Sequence, residues 1–291
     1  MKDLSSMLKE RNTYLYEQME EFLKEHSKIY YKPVNTGGNI SIIGYSDYHW
    51  QKLDLEGRKI QTRLYKELNK QFELIEILMN RLPQNYIEEY KQTIKKVFEY
   101  LLQNSQIWIS TIDEVVIKVK ESFDKIDQLI DQLYSACEMT HVLIPDTNAL
   151  LTNPNIEKWT FENIDEFEIV LLPTVLQELD KLKVYHANQE VRKKAAGIIK
   201  KIKEYRRRGR LTEGVKLSGK NYIRAIAVEP KMENMLSWLD SQNNDDRIIA
   251  SLIEVCRDMI NRPVVLVTAD INVQNKVEFA NLPFIEPPQN D

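Results

Sequence analysis

Cysteine, histidine and glycine are all scarce in this 291-residue chain, which holds 2, 4 and 8 of them. Cys137 and Cys256 cannot build a disulfide framework, so a reducing cytoplasm is the expected compartment. His26, His49, His141 and His186 show no ligand spacing, which argues against zinc and against acid–base cleavage of the ribonuclease A kind. No glycine occurs between Gly57 and Gly197, a stretch suited to long helices. No uncharged apolar run reaches the roughly 18 residues that a membrane span needs. The opening MKDLSSMLKERNTYLYEQMEEF is too acidic and too interrupted for a signal peptide. Net charge is only −4, which alone says nothing of nucleic acid. The apolar share, 43%, suffices for ordinary cores, and 29% charged residues suit a water-facing surface.

Two rhythms divide what is present. Ile60, Leu64, Leu68, Phe72, Ile75 and Met79 recur at helical spacing, as do Ile87, Tyr90, Ile94, Val97, Phe98 and Leu101. Ile112, Val115, Val116 and Val119 continue the stripe, followed by Phe123, Ile126, Ile130, Leu133 and Tyr134. Pro83 separates two of these helices, and a further helix is expected over residues 4–25. Residues 31–50, with a Gly-Gly pair, read as a loop with room for one short hairpin. From residue 141 short apolar runs appear instead: HVLIP, EIVLLP, YIRAIAVEP, PVVLVT and PFIE. Helical segments lie between them around 174–184, 188–208, 245–260 and 272–281, the alternation of a mostly parallel sheet. The chain thus reads as an all-α accessory domain over 1–138 and an α/β domain over 141–291.

Four acids stand where that sheet would carry them to one edge: Asp146, Glu178, Asp246 and Asp270. Carboxylates that converge repel one another unless a divalent cation or a shared proton intervenes, so metal-dependent phosphodiester hydrolysis is the leading reading. Each has a plainer role. Asp146 and Asp270 could cap helices, as could Asp245 or Asp246 before the stripe Ile248, Ile249, Leu252, Ile253, Cys256. Glu178 could complement the dipole of a helix opening with Pro173 and a Thr174–Gln177 capping box.

The segments HVLIPDTNALL, LLPTVLQELDKLK, NNDDRIIAS and LVTADINVQNK together resemble the PIN domain, a family of Mg²⁺- or Mn²⁺-dependent ribonucleases. The likeness covers 141 to about 286 and looks more like the larger PIN domains than the short toxin type. It implies a Rossmann-like α/β fold, with Asp146 as central metal ligand and Glu178, Asp246 and Asp270 completing the set. Asp245 is then a cap or a group behind the ligands, while Thr147, Asn148 and Thr268 match positions that orient the acids or the scissile phosphate. The resemblance also implies products with a 5′-phosphate and a 3′-hydroxyl.

Elsewhere, Val191–Arg210 carries Arg192, Lys193, Lys194, Lys200, Lys201, Lys203, Arg206, Arg207, Arg208 and Arg210 against one acid, Glu204. Its apolar stripe (Ala195, Ile198, Ile199, Ile202, Tyr205) would pack inward, leaving a basic face suited to an RNA backbone. The plainer alternative is a solvated helix facing acids such as the ENIDEFE run. GVKLSGKN at 214–221 nearly spells a phosphate loop, but it ends in Asn221 and precedes a strand, so no nucleotide triphosphate is expected. Tyr30, Tyr31, Tyr45, Tyr48 and Trp50 read as packing aromatics more than as a base-stacking surface.

The reading is therefore a ribonuclease acting on single-stranded or looped RNA, with a helical domain for self-association or a regulatory protein. An RNA-binding or assembly module with the same fold and no activity is the alternative. A haloacid-dehalogenase-type phosphatase is disfavoured, because Asn148 stands where a second Asp is needed.

Overall fold

The computed structural model describes residues 2–33, 46–103, 106–134 and 140–289. The Gly-Gly pair, Tyr45 and Cys137 lie outside them. The chain divides into two compact units, Leu8–Gln132 and a second made of Leu133–Asp291 together with Met1–Met7. Among the described residues no helix is long and apolar enough to cross a membrane.

The first unit is built on α1 (Leu4–His26, from Leu8 onward), α2 (Leu55–Met79), α3 (Gln84–Leu102) and α4 (Ile112–Tyr134, to Gln132). Leu64, Leu68, Phe72 and Ile75 of α2 are buried, as are Tyr90, Val97 and Leu101 of α3 and Val115, Val119, Ile126 and Ile130 of α4. These are the stripes that helical spacing puts on one face. Asp54 caps α2 by accepting from the Gly57 amide at 2.7 Å. A small antiparallel sheet accompanies the helices. β1 (Ile29–Tyr31) pairs with β2 (Tyr48–Trp50), and β2 with β3 (Gln106–Ile107). The third strand is too short to leave a periodic signal. Tyr30 stacks on His49 and Tyr31 meets Tyr48 edge-on, yet Tyr30 and Tyr31 remain 45% and 60% exposed, so neither is a core aromatic.

The second unit holds a six-stranded sheet in the order β6-β7-β5-β4-β8-β9. The parallel strands are β4 (His141–Pro145), β5 (Phe167–Leu171), β7 (Asn221–Ala225), β8 (Val264–Val267) and β9 (Phe284–Ile285). Every residue of β5 and β8 is buried, as in strands covered on both faces, and all but Glu168 are apolar. The antiparallel edge strand β6 (Val215–Ser218) comes from the near-phosphate-loop: Gly219, at φ +51°, turns the chain directly into β7. That segment is a hairpin and opens no helix.

Among the described residues, five α-helices lie wholly in this unit: α5 (Thr147–Thr152), α6 (Pro173–Tyr185), α7 (Gln189–Arg208), α8 (Asn244–Asp258) and α9 (Ile271–Phe279). The chain leaves β4 for β5 on one side and later returns to β8 on the other. The carboxyl end of β4 is thus the point where strand order reverses, the place where open α/β sheets form a crevice.

Candidate metal centre and nucleic-acid face

Asp146 follows β4 at this crevice and is 2% exposed. It is also the N-cap of α5: Oδ1 accepts from the Ala149 amide at 2.6 Å, and Oδ2 accepts from the Thr268 hydroxyl at 2.5 Å. Capping therefore does not compete with a site role; it aims the carboxylate. Asp270 caps α9 in the same manner, accepting from the Asn272 amide at 2.8 Å and, through Oδ2, from Asn148 Nδ2 at 2.8 Å. Glu178, on the second turn of α6, accepts from the Thr147 hydroxyl through Oε2 and from Asn244 Nδ2 through Oε1 at 2.6 Å. Thr147, Asn148 and Thr268 thus each donate to one acid. Thr174 does not act as a cap: Leu172 occupies the cap position, and the Thr174 hydroxyl donates to Glu229 at 2.9 Å.

Asp146, Glu178 and Asp245 line one cleft of about 290 Å³, with Thr147, Asn148 and Lys181 beside them. Like Asp270, which adjoins the cleft through Asn148, Asp246 is not among its walls. It is 5% exposed and committed elsewhere, Oδ2 accepting from the Asp240 amide at 3.0 Å and Oδ1 lying 2.7 Å from Lys276 Nζ. Of the two neighbours, Asp245 therefore lines the cleft and Asp246 does not, which makes Asp245 the nearer ligand candidate. The cause is where α8 begins. Asn243 is its cap, so both aspartates sit in the first turn, where one residue rotates a side chain by about 100°. Neither is the N-cap that the sequence suggested. Two larger cavities, of about 760 and 550 Å³, adjoin Ala225–Ala227 and contain none of these acids.

Electrostatics single out Asp146. Burial pushes its pKa up from 3.8 to about 6 against the pull of the Thr268 and Ala149 hydrogen bonds, and the nearby charges of Asp270 and Glu178 push the same way. Among the described residues no Lys or Arg forms an ion pair with Asp146, Glu178 or Asp270, whereas Lys276 lies within 3.4 Å of Asp245 and 2.7 Å of Asp246. Nor, among the described residues, do any three His, Cys, Asp or Glu side chains stand close enough together to hold a metal ion by themselves. Mg²⁺ does not need three: it keeps several waters and takes one or two carboxylates together with substrate phosphate. An oxygen-only donor set and uncompensated negative charge around a desolvated Asp fit such an ion.

On α7, Ala195, Ile198, Ile199, Ile202 and Tyr205 are the buried residues, the stripe read from spacing. Tyr205 is anchored by donating to Glu157. The cations divide. Lys201 pairs with Glu157 and Arg210 with Glu213, while Arg192 and Lys194 donate to backbone carbonyls. Lys193, Lys200, Lys203, Arg206 and Arg207 are exposed, as is Arg208, which lies 5.1 Å from the Tyr205 ring. The ENIDEFE run supplies no ion-pair partner to this helix among the described residues; its Glu166 pairs with Lys220 and its Glu168 with Arg224 and Arg262.

A crevice at a strand-order reversal, walled by acids that three neighbouring polar side chains hold, defines a class. Residues 143–286 match the family model of the PIN domain, so through this half the chain belongs to the PIN family, a Rossmann-like α/β fold. PIN domains are typically nucleases that use divalent metals, generally Mg²⁺ or Mn²⁺. The same half is similar to Protein PhoH2 of Bacillus subtilis, 32% identical over 149 residues, or 50% of this chain. The match spans only 32% of that relative's length.

Lys181, Asn244, Arg247, Glu229 and Lys276 went unread in the sequence. Lys181 alone carried a signal, standing three residues after Glu178 and so on the same helix face.

Proposed function

We propose that the second unit is a metal-dependent ribonuclease, an endonuclease that hydrolyses phosphodiester bonds of single-stranded or looped RNA. One observation carries the proposal: Asp146 is desolvated at the carboxyl end of β4, beside Glu178 and Asp270, and among the described residues none of the three has a Lys or Arg in ion-pair contact. Asp146, Glu178, Asp270 and Asp245 would hold Mg²⁺ or Mn²⁺, which when bound lowers the pKa of a coordinated water and offsets charge on the reacting phosphate. Thr268 and the Ala149 amide keep the Asp146 carboxylate directed into the cleft, and Thr147 does the same for Glu178. Lys181, without an ion-pair partner among the described residues, is positioned to meet a substrate phosphate. The exposed cations of α7 would hold the flanking backbone, a contribution that salt weakens.

The first unit would serve self-association or a regulatory protein, and the setting is the cytoplasm, on the scarcity of cysteine and the free, buried state of Cys256. A second reading has one observation behind it: the Lys276–Asp246 pair already satisfies one of the acids, as an RNA-binding PIN fold without activity would allow. Incubating the full chain with end-labelled single-stranded RNA, with Mn²⁺ or with EDTA, separates the two. Mn²⁺-dependent cleavage that vanishes in Asp146→Asn supports the nuclease. Salt-sensitive binding without turnover supports the inactive module.

A further inference from the structure

We propose that Glu229 and Arg247 are positioning residues for Glu178, acting through the side-chain amide of Asn244. The proposal rests on the ribonuclease reading and extends it to groups outside the cleft. Five side chains form a ring that the backbone of α6 closes. Asn244 Nδ2 donates to Glu178 Oε1 at 2.6 Å, and Asn244 Oδ1 accepts from Arg247 Nη1 at 3.1 Å. Arg247 in turn meets the Glu229 carboxylate with Nε at 3.0 Å and with Nη2 at 2.5 and 2.7 Å. Glu229 Oε1 also accepts from the Thr174 hydroxyl at 2.9 Å, and Thr174 stands one turn before Glu178 on α6.

The ring decides the orientation of an amide. An asparagine side chain presents a donor on one side and an acceptor on the other, and either can face a neighbour. Facing Glu178 with oxygen would set an acceptor against a carboxylate. Arg247 has no acceptor to offer, so its contact with Asn244 Oδ1 forces Nδ2 toward Glu178. Glu229 keeps the guanidinium there by a two-pronged, charge-assisted contact, which fixes direction in a way that a single contact does not. Thr147 holds the other oxygen of Glu178. The carboxylate is therefore fixed at both oxygens, by α5 on one side and by the start of α8 on the other. Glu229 belongs to the segment following β7, so a residue outside the four acidic motifs sets the direction of one of their carboxylates. Groups that orient ligands in this manner typically change metal affinity by 10–100-fold when removed.

The test is Mn²⁺ titration by calorimetry on the full chain, with melting temperature and RNA affinity in EDTA measured alongside. Glu229→Gln, Arg247→Lys and Asn244→Ala should each weaken Mn²⁺ binding about tenfold or more while leaving RNA affinity in EDTA unchanged. Arg247→Lys keeps the charge and loses only the fork, so a loss there reports orientation. Because the three act in series, Glu229→Gln combined with Asn244→Ala should bind no more weakly than Asn244→Ala alone. Mn²⁺ affinity within twofold of wild type in Glu229→Gln and Arg247→Lys overturns the proposal and leaves the ribonuclease reading standing. Absence of Mn²⁺ binding by the wild type overturns both.

Discussion

Asp146→Asn is expected to stabilise the metal-free protein while abolishing its response to Mn²⁺. The folded carboxyl has its pKa pushed up to about 6, against 3.8 for a free Asp. At about 1.4 kcal/mol per tenfold in proton affinity, the ionised form costs the folded state about 3 kcal/mol at pH 7. The side chain is 2% exposed, so solvent screening offsets little of this. A raised folded pKa means that stability is intact below pH 3.8, declines between 3.8 and 6, and has lost the full amount above 6. Asparagine removes that charge and keeps an acceptor for the Ala149 amide. It also sets an NH₂ group against Thr268 Oγ1, which already accepts from the Asp270 amide at 3.0 Å, so the Thr268 proton loses its acceptor at about 1 kcal/mol. The net gain is about 1–2 kcal/mol, or about 3–6 °C in melting temperature for a unit of this size. Differential scanning fluorimetry in EDTA across pH 4 to 8 reads it directly, and the gain should shrink toward zero as pH falls to 4. Added Mn²⁺ should raise the melting temperature of wild type by mass action and leave the variant unmoved. A variant less stable than wild type at pH 7.5 in EDTA, or a gain that ignores pH, refutes the electrostatic argument.

Replacing Lys200, Lys203 and Arg206 by Ala should flatten the plot of log affinity for single-stranded RNA against log salt by roughly 0.7 per cation removed, and an unchanged slope would place the RNA elsewhere. Tyr205→Phe leaves Glu157 without its hydroxyl donor at the base of α7, and denaturant unfolding should show a loss of about 1–2 kcal/mol; no loss would mean that Lys201 alone satisfies Glu157. Burial pushes the Cys256 thiol up to about 12, so in the native protein it should resist a thiol reagent at pH 8 and react once the chain is unfolded.

What the sequence made legible was the part governed by local rules. Largely apolar runs gave away β4, β5 and β8 because strands covered on both faces need such residues through most of their length. Asp146 and Asp270 could be placed because each follows such a run and caps the next helix. The choice between Asp245 and Asp246 was different in kind. Asn243 and Asn244 are equally good caps on paper, and a start one residue earlier or later exchanges which aspartate faces the cleft. β6 escaped because VKLS is short and half polar, as an edge strand can be. The series Glu178–Asn244–Arg247–Glu229–Thr174 joins positions as far as 66 residues apart through one hydrogen bond, and no spacing rule reaches that far.

The claim underneath all of this is that Asp146, Glu178, Asp270 and Asp245 share one divalent cation. Crystals of the full chain soaked in Mn²⁺ and measured at the manganese absorption edge test it most directly. An anomalous peak within coordination distance of Asp146 and at least one of the other three is the predicted result. Manganese bound elsewhere with this cleft empty, or no peak at saturating Mn²⁺, would contradict it.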